Sequence, residues 1–294
     1  MSPSSPIFYA IGNTITESLD EILLGLSLNK KMISPKYFYD ELGSNLFDEI
    51  TKQPEYYLTR TEMEIFRCYT AEIVEQLGKD CLLIDCSTID IQTSIEIGKK
   101  ASEKGIEMID APVSGGVMGA QKATLNIMVG GSKEAYEKAL PLLKIMGKNI
   151  FHAGDLGSGN GAKICNNMAL GIAMIAASES LMLAKRLNID IKKVHEIMKN
   201  ASGNSWPISV YPPLPGLIDG TPSNNNYRPG FSAGMMNKDL KLANDCAKSV
   251  NAETPLGKMA LEIYDQFCKE GNDTKDFSAI SKVIGGSAWD YPID

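Results

Sequence analysis

The sequence of 294 residues is poor in the residues that build metal centres and nucleic-acid interfaces. It contains only two histidines, His152 and His195, and its six cysteines are scattered without a CxxC pair. This pattern argues against a zinc or other metal site and favours free thiols in a reducing compartment. The net charge is −7 and no stripe of lysine and arginine is visible, so the composition gives no support for nucleic-acid binding.

Long apolar runs and recognisable targeting segments are also lacking. The longest uninterrupted apolar run, Met168 to Ala177, is too short to span a bilayer. The first residues, MSPSSPIFYAIGN, have no basic start and no early arginine, which indicates neither a secretory signal nor an arginine-rich transit peptide. From the sequence we therefore expect a cytoplasmic protein that does not contact a membrane.

The most informative feature that is present is a long apolar stretch that begins with glycines and a lysine. The spacing predicts a helix from about Gly159 to Leu187 with apolar positions nearly all the way round, as in a buried helix. Asn166 and Asn167 follow Lys163 by three and four positions, so the three side chains share a face. A buried ammonium beside amides favours a proton-transfer site. The alternative is a lysine that reaches solvent along its apolar stem.

Three segments of different character follow one another along the chain. Residues 1–79 predict short helices, residues 80–155 alternate between strands and helices, and residues 156–294 predict a helical domain with a Pro/Asn-rich loop. The strands are predicted at Cys81–Cys86, Glu107–Asp110, Leu125–Val129 and Asn149–His152, and the helices between them at Ile91–Lys104 and Lys133–Ile145. The predicted fold class is α/β plus all-α, with a partial Rossmann-like parallel sheet before the helical domain.

Three short motifs each admit a functional and a plain interpretation. GSGNGA (157–162) matches the loose dinucleotide pattern GxGxx[GA], but no second strand ending in an acid follows it. Its glycines are better explained by a close approach of the helix start to a ligand or to the sheet. Ser114-Gly115-Gly116 is either a backbone N–H cradle for an anion or an ordinary turn. KDLKLA, from Lys238, predicts the start of a helix with a solvated charged face.

Residues 81–286 resemble the 3-hydroxyisobutyrate dehydrogenases of the β-hydroxyacid dehydrogenase superfamily. The matching blocks are LLIDCSTID (82–90), DAPVSGGVMGA (110–120), IMVGG (127–131), GSGNGAKICNN (157–167) and KDLKLA (238–243). The resemblance implies NAD-dependent oxidation of 3-hydroxyisobutyrate to methylmalonate semialdehyde, a step of valine catabolism, with NADP as a second possible cofactor. It also implies a homo-oligomer built through the helical domain. Intact eukaryotic members of the family are mitochondrial.

The resemblance further implies which residues form the site. Lys163 is implied to be the catalytic lysine. The substrate is implied to be held by Ser114, Gly115, Gly116 and Asn167. The cofactor is implied to lie next to Ser87, Thr88 and Lys238. A lysine with an ordinary pKa of about 10.4 is a poor base at neutral pH, and burial or a nearby positive charge lowers that pKa. Ala123 stands where the family usually has glycine, which predicts a tighter substrate pocket.

The N-terminal part of the chain does not continue this resemblance. The family begins with a strand–GxGxMG–helix unit that binds the pyrophosphate, and no such unit stands before Cys81. Residues 16–78 instead resemble the start of the histidine-specific methyltransferases of ergothioneine biosynthesis, through PKYFYDELGSNLFDEI (35–50) and PEYYLTRTE (54–62). We therefore expect a chimera joined near Gly78–Cys81, with a truncated sheet, weakened NAD binding and weak or no turnover. The alternative is an inactive chain that acts as an oligomerisation module.

Overall fold

A computed structural model describes residues 81–285, except for the side chains of Val117 and Met118. All these residues belong to the second of the two units into which the chain divides, Ala71–Asp294. The predicted methyltransferase-like segment, residues 16–78, and the helices predicted within residues 1–79 lie outside the described residues.

The described chain alternates between strands and helices and then becomes helical, which confirms the predicted fold class. The strands are β1 (Leu82–Asp85), β2 (Glu107–Asp110), β3 (Val113–Ser114), β4 (Leu125–Gly130) and β5 (Gly147–Gly154). The helices are α1 (Ile91–Glu103), α2 (Gly116–Gln121), α3 (Lys133–Met146), α4 (Ser158–Arg186), α5 (Ile191–Asn200), α6 (Trp206–Ser209), α7 (Ala233–Ser249), α8 (Pro255–Phe267) and α9 (Ser281–Gly285). Short 3-10 turns at Pro222–Asn224 and Phe277–Ile280 and a π turn at Cys268–Asn272 complete the set.

The sheet is mixed, whereas the sequence analysis expected parallel strands. Its order is β1-β2-β4-β3, and β5 pairs with β4. The pairs β1/β2 and β4/β5 are parallel, while β2/β4 and β3/β4 are antiparallel. Only residues 115–124 join β3 to β4, fewer than the dozen or more that a parallel crossover needs. The chain therefore returns beside β3 in the opposite direction.

Side-chain caps begin several of the helices. Asp90 accepts a hydrogen bond from the backbone N–H of Thr93 at the start of α1, and Ser132 does the same for Ala135 at α3. Such caps satisfy backbone donors that a helix start leaves unpaired. Helix α3 then packs its apolar face on the sheet, where the buried core comprises Ile109, Ala111, Leu125, Ile127, Val129, Ala135, Ala139 and Leu143.

Helix α4 is the central element of the helical part. It extends over 29 residues, about 43 Å at 1.5 Å per residue. By length and composition it is apolar enough to cross a membrane. In this structure it packs against β4, α7 and α8 and buries Met174 and Leu181 in two apolar cores. Leu183 and Leu187 are more than half exposed, so the expectation of a helix buried all round is wrong: one face is open.

Candidate active site

Lys163 lies in the second turn of α4 with only 8% of its surface exposed. Burial lowers the pKa of its ammonium group below the ordinary value. The carboxylate of Asp239 acts in the opposite direction and raises this pKa, and the ammonium of Lys238 adds to the lowering. Lys163 is therefore buried as the sequence indicated, and its proton affinity is adjusted by two charged side chains from α7.

Asn167 lies one turn after Lys163 and connects α4 to the same acidic group. Its side-chain Nδ2 donates to Asp239 at 2.5 Å, and its Oδ1 accepts from Asn166 at 2.9 Å. Asn167 and Asp239 are buried, whereas Asn166 is exposed and only reaches back toward Asn167. The predicted grouping of all three α4 side chains on one buried face thus holds for Lys163 and Asn167 and is wrong for Asn166.

Lys238 joins the helical part to the end of a strand. Its Nζ donates to the backbone carbonyl of Thr88 at 2.9 Å, just beyond β1. The same Nζ lies 3.0 Å from Asp239 Oδ1, an ion-pair contact without hydrogen-bond geometry. Thr88, Lys238, Asp239 and Asn167 are thereby linked in one continuous set of contacts, and the charges of Lys238 and Asp239 act on Lys163.

The sequence predicted a helix that starts at Lys238, but in the structure this helix starts earlier. Helix α7 begins at Ala233, because Ser232 Oγ accepts the backbone N–H of Met235 and caps the helix. The KDLKLA motif lies inside the helix, where Asp239 and Leu240 face the interior. The predicted solvated charged face is therefore wrong for Asp239, which is the group that approaches Lys163.

Ser87 and Thr88 follow β1 at its carboxyl end. The backbone N–H of Ser87 donates to the carboxylate of Asp85 at 2.9 Å, and the Ser87 side chain is exposed. Because β1 and β2 are parallel, their carboxyl ends meet at one edge, the usual ligand-binding edge of such sheets. The exposed ammonium of Lys238 lies at this edge, bound to the Thr88 carbonyl.

The predicted anion turn is built from glycines in the left-handed region. Gly115 has φ +134° and Gly116 has φ +60°, conformations that other residues rarely adopt. The turn follows Ser114, which is half-buried and pairs with Asn126 of β4. A side chain at Gly116 would lie 3.9 Å from the carbonyl of Gly230, so the turn faces the segment just before α7.

The GSGNGA run at the start of α4 approaches the sheet closely, as its glycines predicted. A Cβ at Gly159 would lie 2.4 Å from the carbonyl oxygen of Met128 in β4. The backbone N–H groups of Gly157 and Asn160 donate to the Asp110 carboxylate at 2.7 and 2.6 Å. These donors are already bound to a carboxylate of the chain itself, so this helix start is not arranged to receive a pyrophosphate.

The sequence did not indicate a role at this site for two acidic residues, Asp239 and Asp110. In the sequence, Asp239 is the second residue of KDLKLA, and Asp110 is both the polar end of the strand EMID and the first residue of DAPVSGGVMGA. In both cases the available signal was a carboxylate next to apolar neighbours, which is costly to bury without partners. Ala123, by contrast, is exposed with φ +52°, so its methyl group does not tighten a buried pocket.

Comparison with known proteins assigns the chain to a family. Residues 157–284 match the family model described as the NAD-binding domain of NADP-dependent 3-hydroxyisobutyrate dehydrogenase. Residues 61–154 match that of the NAD-binding domain of 6-phosphogluconate dehydrogenase. A 3-hydroxyisobutyrate dehydrogenase of Pseudomonas aeruginosa is 45% identical over 207 residues, which are 70% of each chain. The chain belongs to the 3-hydroxyisobutyrate dehydrogenase family.

Other members of the 3-hydroxyisobutyrate dehydrogenase family are similarly close. An NAD-dependent L-serine dehydrogenase of Pseudomonas aeruginosa is 42% identical, over 72% of this chain and 71% of the relative. The structure of a Mycobacterium tuberculosis 3-hydroxyisobutyrate dehydrogenase with L-serine matches with a TM-score of 0.71 and 38% identity, covering 76% of each chain. Animal relatives, the human protein among them, are named as mitochondrial, and the chain spans 63% of the human protein.

Membership of the 3-hydroxyisobutyrate dehydrogenase family confirms the resemblance predicted over most of the chain and supports use of NAD or NADP. The match at residues 61–154 begins upstream of the junction predicted near Gly78–Cys81. The methyltransferase resemblance of residues 16–78 stays a prediction.

Proposed function

We propose that this chain carries the substrate-binding and proton-transfer half of an NAD(P)-dependent dehydrogenase that oxidises the primary hydroxyl of 3-hydroxyisobutyrate. The observation that carries the proposal is buried Lys163, whose ammonium feels the charges of Asp239 and Lys238. Asp239 binds Asn167, and Lys238 reaches the strand end at Thr88. The relatives named for 3-hydroxyisobutyrate and for L-serine both act on small acids with a hydroxyl on the third carbon. L-Serine is therefore the comparison substrate.

The proposed reaction needs a base beside the substrate hydroxyl. Neutral Lys163 takes the proton of the substrate hydroxyl, while a hydrogen on the carbon that bears this hydroxyl leaves as hydride. The alcohol thereby becomes the aldehyde methylmalonate semialdehyde. The lowered pKa of Lys163 increases the neutral amine fraction at physiological pH. Asp239 limits this lowering and so favours the ammonium form, which donates the proton to the aldehyde oxygen in the reverse direction. When bound, the nicotinamide supplies the hydride acceptor.

The remaining site residues receive positioning roles in this proposal. The Ser114-Gly115-Gly116 turn offers a hydroxyl and backbone N–H groups to the substrate carboxylate. Asn167 retains a second N–H on the amide nitrogen that binds Asp239, and we assign this donor to the substrate. Ser87, Thr88 and Lys238 lie where the nicotinamide ring meets the strand end.

We also propose that this polypeptide by itself turns over slowly. No GxGxMG segment occurs between Met1 and Cys81 to supply backbone donors for the pyrophosphate. At the glycine-rich start of α4, the backbone N–H groups of Gly157 and Asn160 are already occupied by Asp110. Cofactor affinity, rather than the proton-transfer step, is then the expected weakness.

The test is NADH or NADPH formation from 3-hydroxyisobutyrate and from L-serine by the purified chain. Lys163→Ala is expected to reduce turnover by about 10²–10⁴-fold, the usual contribution of a general base. Lys199→Ala, which removes an exposed lysine from α5, is the matched control and should leave turnover unchanged. Activity of equal size in Lys163→Ala would come from elsewhere and would contradict the proposed role.

A second proposal concerns assembly through the open face of α4. Five exposed positions along it and at its C-terminal end are small or apolar and recur at helical spacing: Cys165, Ala169, Ala176, Leu183 and Leu187. The exposed polar residues Asn166, Glu179 and Arg186 flank this stripe. An apolar stripe of this length is unusual on a surface that contacts only water. We propose that it pairs with the same face of a second copy, since a helix stripe is self-complementary about a two-fold axis. This also supports the alternative of an oligomerisation module.

A further inference from the structure

Asp110 is a fully buried carboxylate to which neither the family resemblance nor the proposed reaction assigns a role. It is the last residue of β2 and has no exposed surface. Its two oxygens accept the backbone N–H groups of Gly157 and Asn160, at 2.7 and 2.6 Å, in the first turn of α4. A strand end in the sheet thus caps the helix that carries Lys163, a helix whose own N-terminal residue offers no side-chain cap.

Asn160 extends this contact to a third element. Its side chain is also fully buried. Its Oδ1 accepts the backbone N–H of Ile89 at 3.1 Å, and its Nδ2 donates to the hydroxyl of Ser94 in α1 at 3.0 Å. Ser94 is likewise without exposed surface. Asp110, Asn160 and Ser94 therefore form a buried polar network between the strand ends, α1 and α4.

Each branch of the network ends next to a segment of the proposed active site. Asn160 stands three residues before Lys163 on α4, and Ile89 follows Thr88 directly. Asp110 begins the DAPVSGG segment that ends in the Ser114-Gly115-Gly116 turn. These segments are distant in sequence: 71 residues separate Ile89 from Asn160, and 50 separate Asp110 from Asn160. The network is one of the links that hold these segments in place relative to one another.

We propose that Asp110, acting through Asn160, is a positioning residue that sets the register of α4 against the strand ends and so keeps Lys163 buried. The proposal rests on the proposed function only for the role given to Lys163. Its physical basis is that a carboxylate binding two backbone N–H groups at a helix start also gains from the helix dipole. Both bonds require acceptor oxygens, and a buried amide in this place would turn its NH₂ toward a backbone donor.

The test compares Asp110→Asn with Asp190→Asn. Asp190 caps α5 through the backbone N–H of Lys192 at 2.8 Å and is exposed, so Asp190→Asn makes the same exchange at a helix start where an amide can still cap. The readout is the pH dependence of Lys163 acylation by trace acetic anhydride, quantified by mass spectrometry with Lys199 as the internal reference. It needs neither cofactor nor turnover. The charged groups that face Lys163 are Asp239 and Lys238, and both are retained in each variant.

We expect the Lys163 midpoint to move upward toward that of an ordinary lysine in Asp110→Asn, because a loosened helix start admits water. It should stay at the wild-type value in Asp190→Asn. An unchanged midpoint in folded Asp110→Asn, or an equal shift in Asp190→Asn, would overturn the proposal.

A milder variant covers the case in which Asp110→Asn does not fold. Ser94→Ala removes only the Ser94–Asn160 hydrogen bond and is expected to shift the Lys163 midpoint in the same direction by a smaller amount. If Asp110→Asn is unfolded and Ser94→Ala leaves the midpoint unchanged, the positioning role is refuted. Absence of turnover in the wild-type chain would instead count against the proposed function alone, since the acylation readout is independent of it.

Discussion

At the scale of single residues, the ionisation of Lys163 depends on burial and on two charged neighbours. Burial, the larger effect, lowers its pKa from 10.5, so the folded protein holds this proton less tightly than the unfolded chain does. Between the folded and unfolded pKa values, unfolding therefore takes up a proton, and stability rises with pH across that interval. The buried lysine costs stability at neutral pH, and this cost is relieved as pH rises toward 10.5.

We expect Lys163→Met to be more stable than the wild type at about pH 7 and to lose this advantage toward about pH 10. Each unit by which the pKa is lowered corresponds to about 1.4 kcal/mol. Urea denaturation at the two pH values measures the difference. A stability difference that is constant with pH, or that grows as pH rises, would contradict the assignment of a lowered pKa to Lys163.

Ala123 is a second residue that lowers the stability of the fold, through its own backbone conformation. Its φ of +52° places an L-residue in the left-handed region, where a Cβ costs about 1–2 kcal/mol. We expect Ala123→Gly to stabilise the protein by about 0.5–1 kcal/mol, since the relief exceeds the added entropy of the unfolded chain. Ala120→Gly, three residues earlier in α2, is the matched control and should destabilise by about 0.5–1 kcal/mol. Thermal unfolding of both variants decides, and equal effects of the same sign would be inconsistent with backbone strain at Ala123.

At the scale of secondary-structure elements, the contact between α4 and β4 holds the helix start in place. A side chain at Gly159 would meet backbone oxygen atoms of Met128 and Asp110, at 2.4 and 2.8 Å, and neither can move without displacing a strand. The glycine is required because the helix axis approaches the sheet so closely, not because of its φ angle. The start of α4 therefore lies directly on β4 and the end of β2.

We expect Gly159→Ala to destabilise the protein by about 1–3 kcal/mol, the usual cost of overpacking. Gly203→Ala is the control, because a Cβ at Gly203 meets nothing within 4 Å. It should be neutral or stabilising by up to about 1 kcal/mol. Chemical denaturation of the two variants measures the contrast, and a Gly159→Ala protein as stable as Gly203→Ala would show that α4 is free to move away from β4.

For the whole molecule, we expect the open face of α4 to decide whether the protein is a monomer or an oligomer. We expect the protein to show a mass above the 31.9 kDa of one chain in light scattering at micromolar concentration, and Ala176→Glu to lower that mass. A charge in the middle of the stripe would be desolvated on pairing, which is unfavourable. Ala153→Glu, on the exposed side of β5, is the control. A wild-type mass of one chain at every concentration would contradict pairing.

Local pattern in the sequence was sufficient for most elements. The predicted β2 matches the observed strand at both ends, and the predicted limits of α1, α3 and α4 lie within one residue of those observed. These elements follow from residue spacing and caps, which act over a few positions. The mixed sheet was not predicted, because the direction of a strand depends on the connection that precedes it. The start of α7 was not predicted, because the Ser232 cap lies outside the KDLKLA motif.

The family, the apolar helix with its lysine and the turn at Ser114 follow from local patterns in the amino-acid sequence. The folded structure was needed to show that the charge of Asp239 acts on Lys163, that Lys238 reaches Thr88, and that Asp110 caps α4. The physical reason is distance along the chain: Asn167 and Asp239 are 72 positions apart, and Thr88 and Lys238 are 150 apart. Periodicity reports which face of an element is apolar, whereas the pKa of a buried lysine depends on charges that folding brings in from elsewhere.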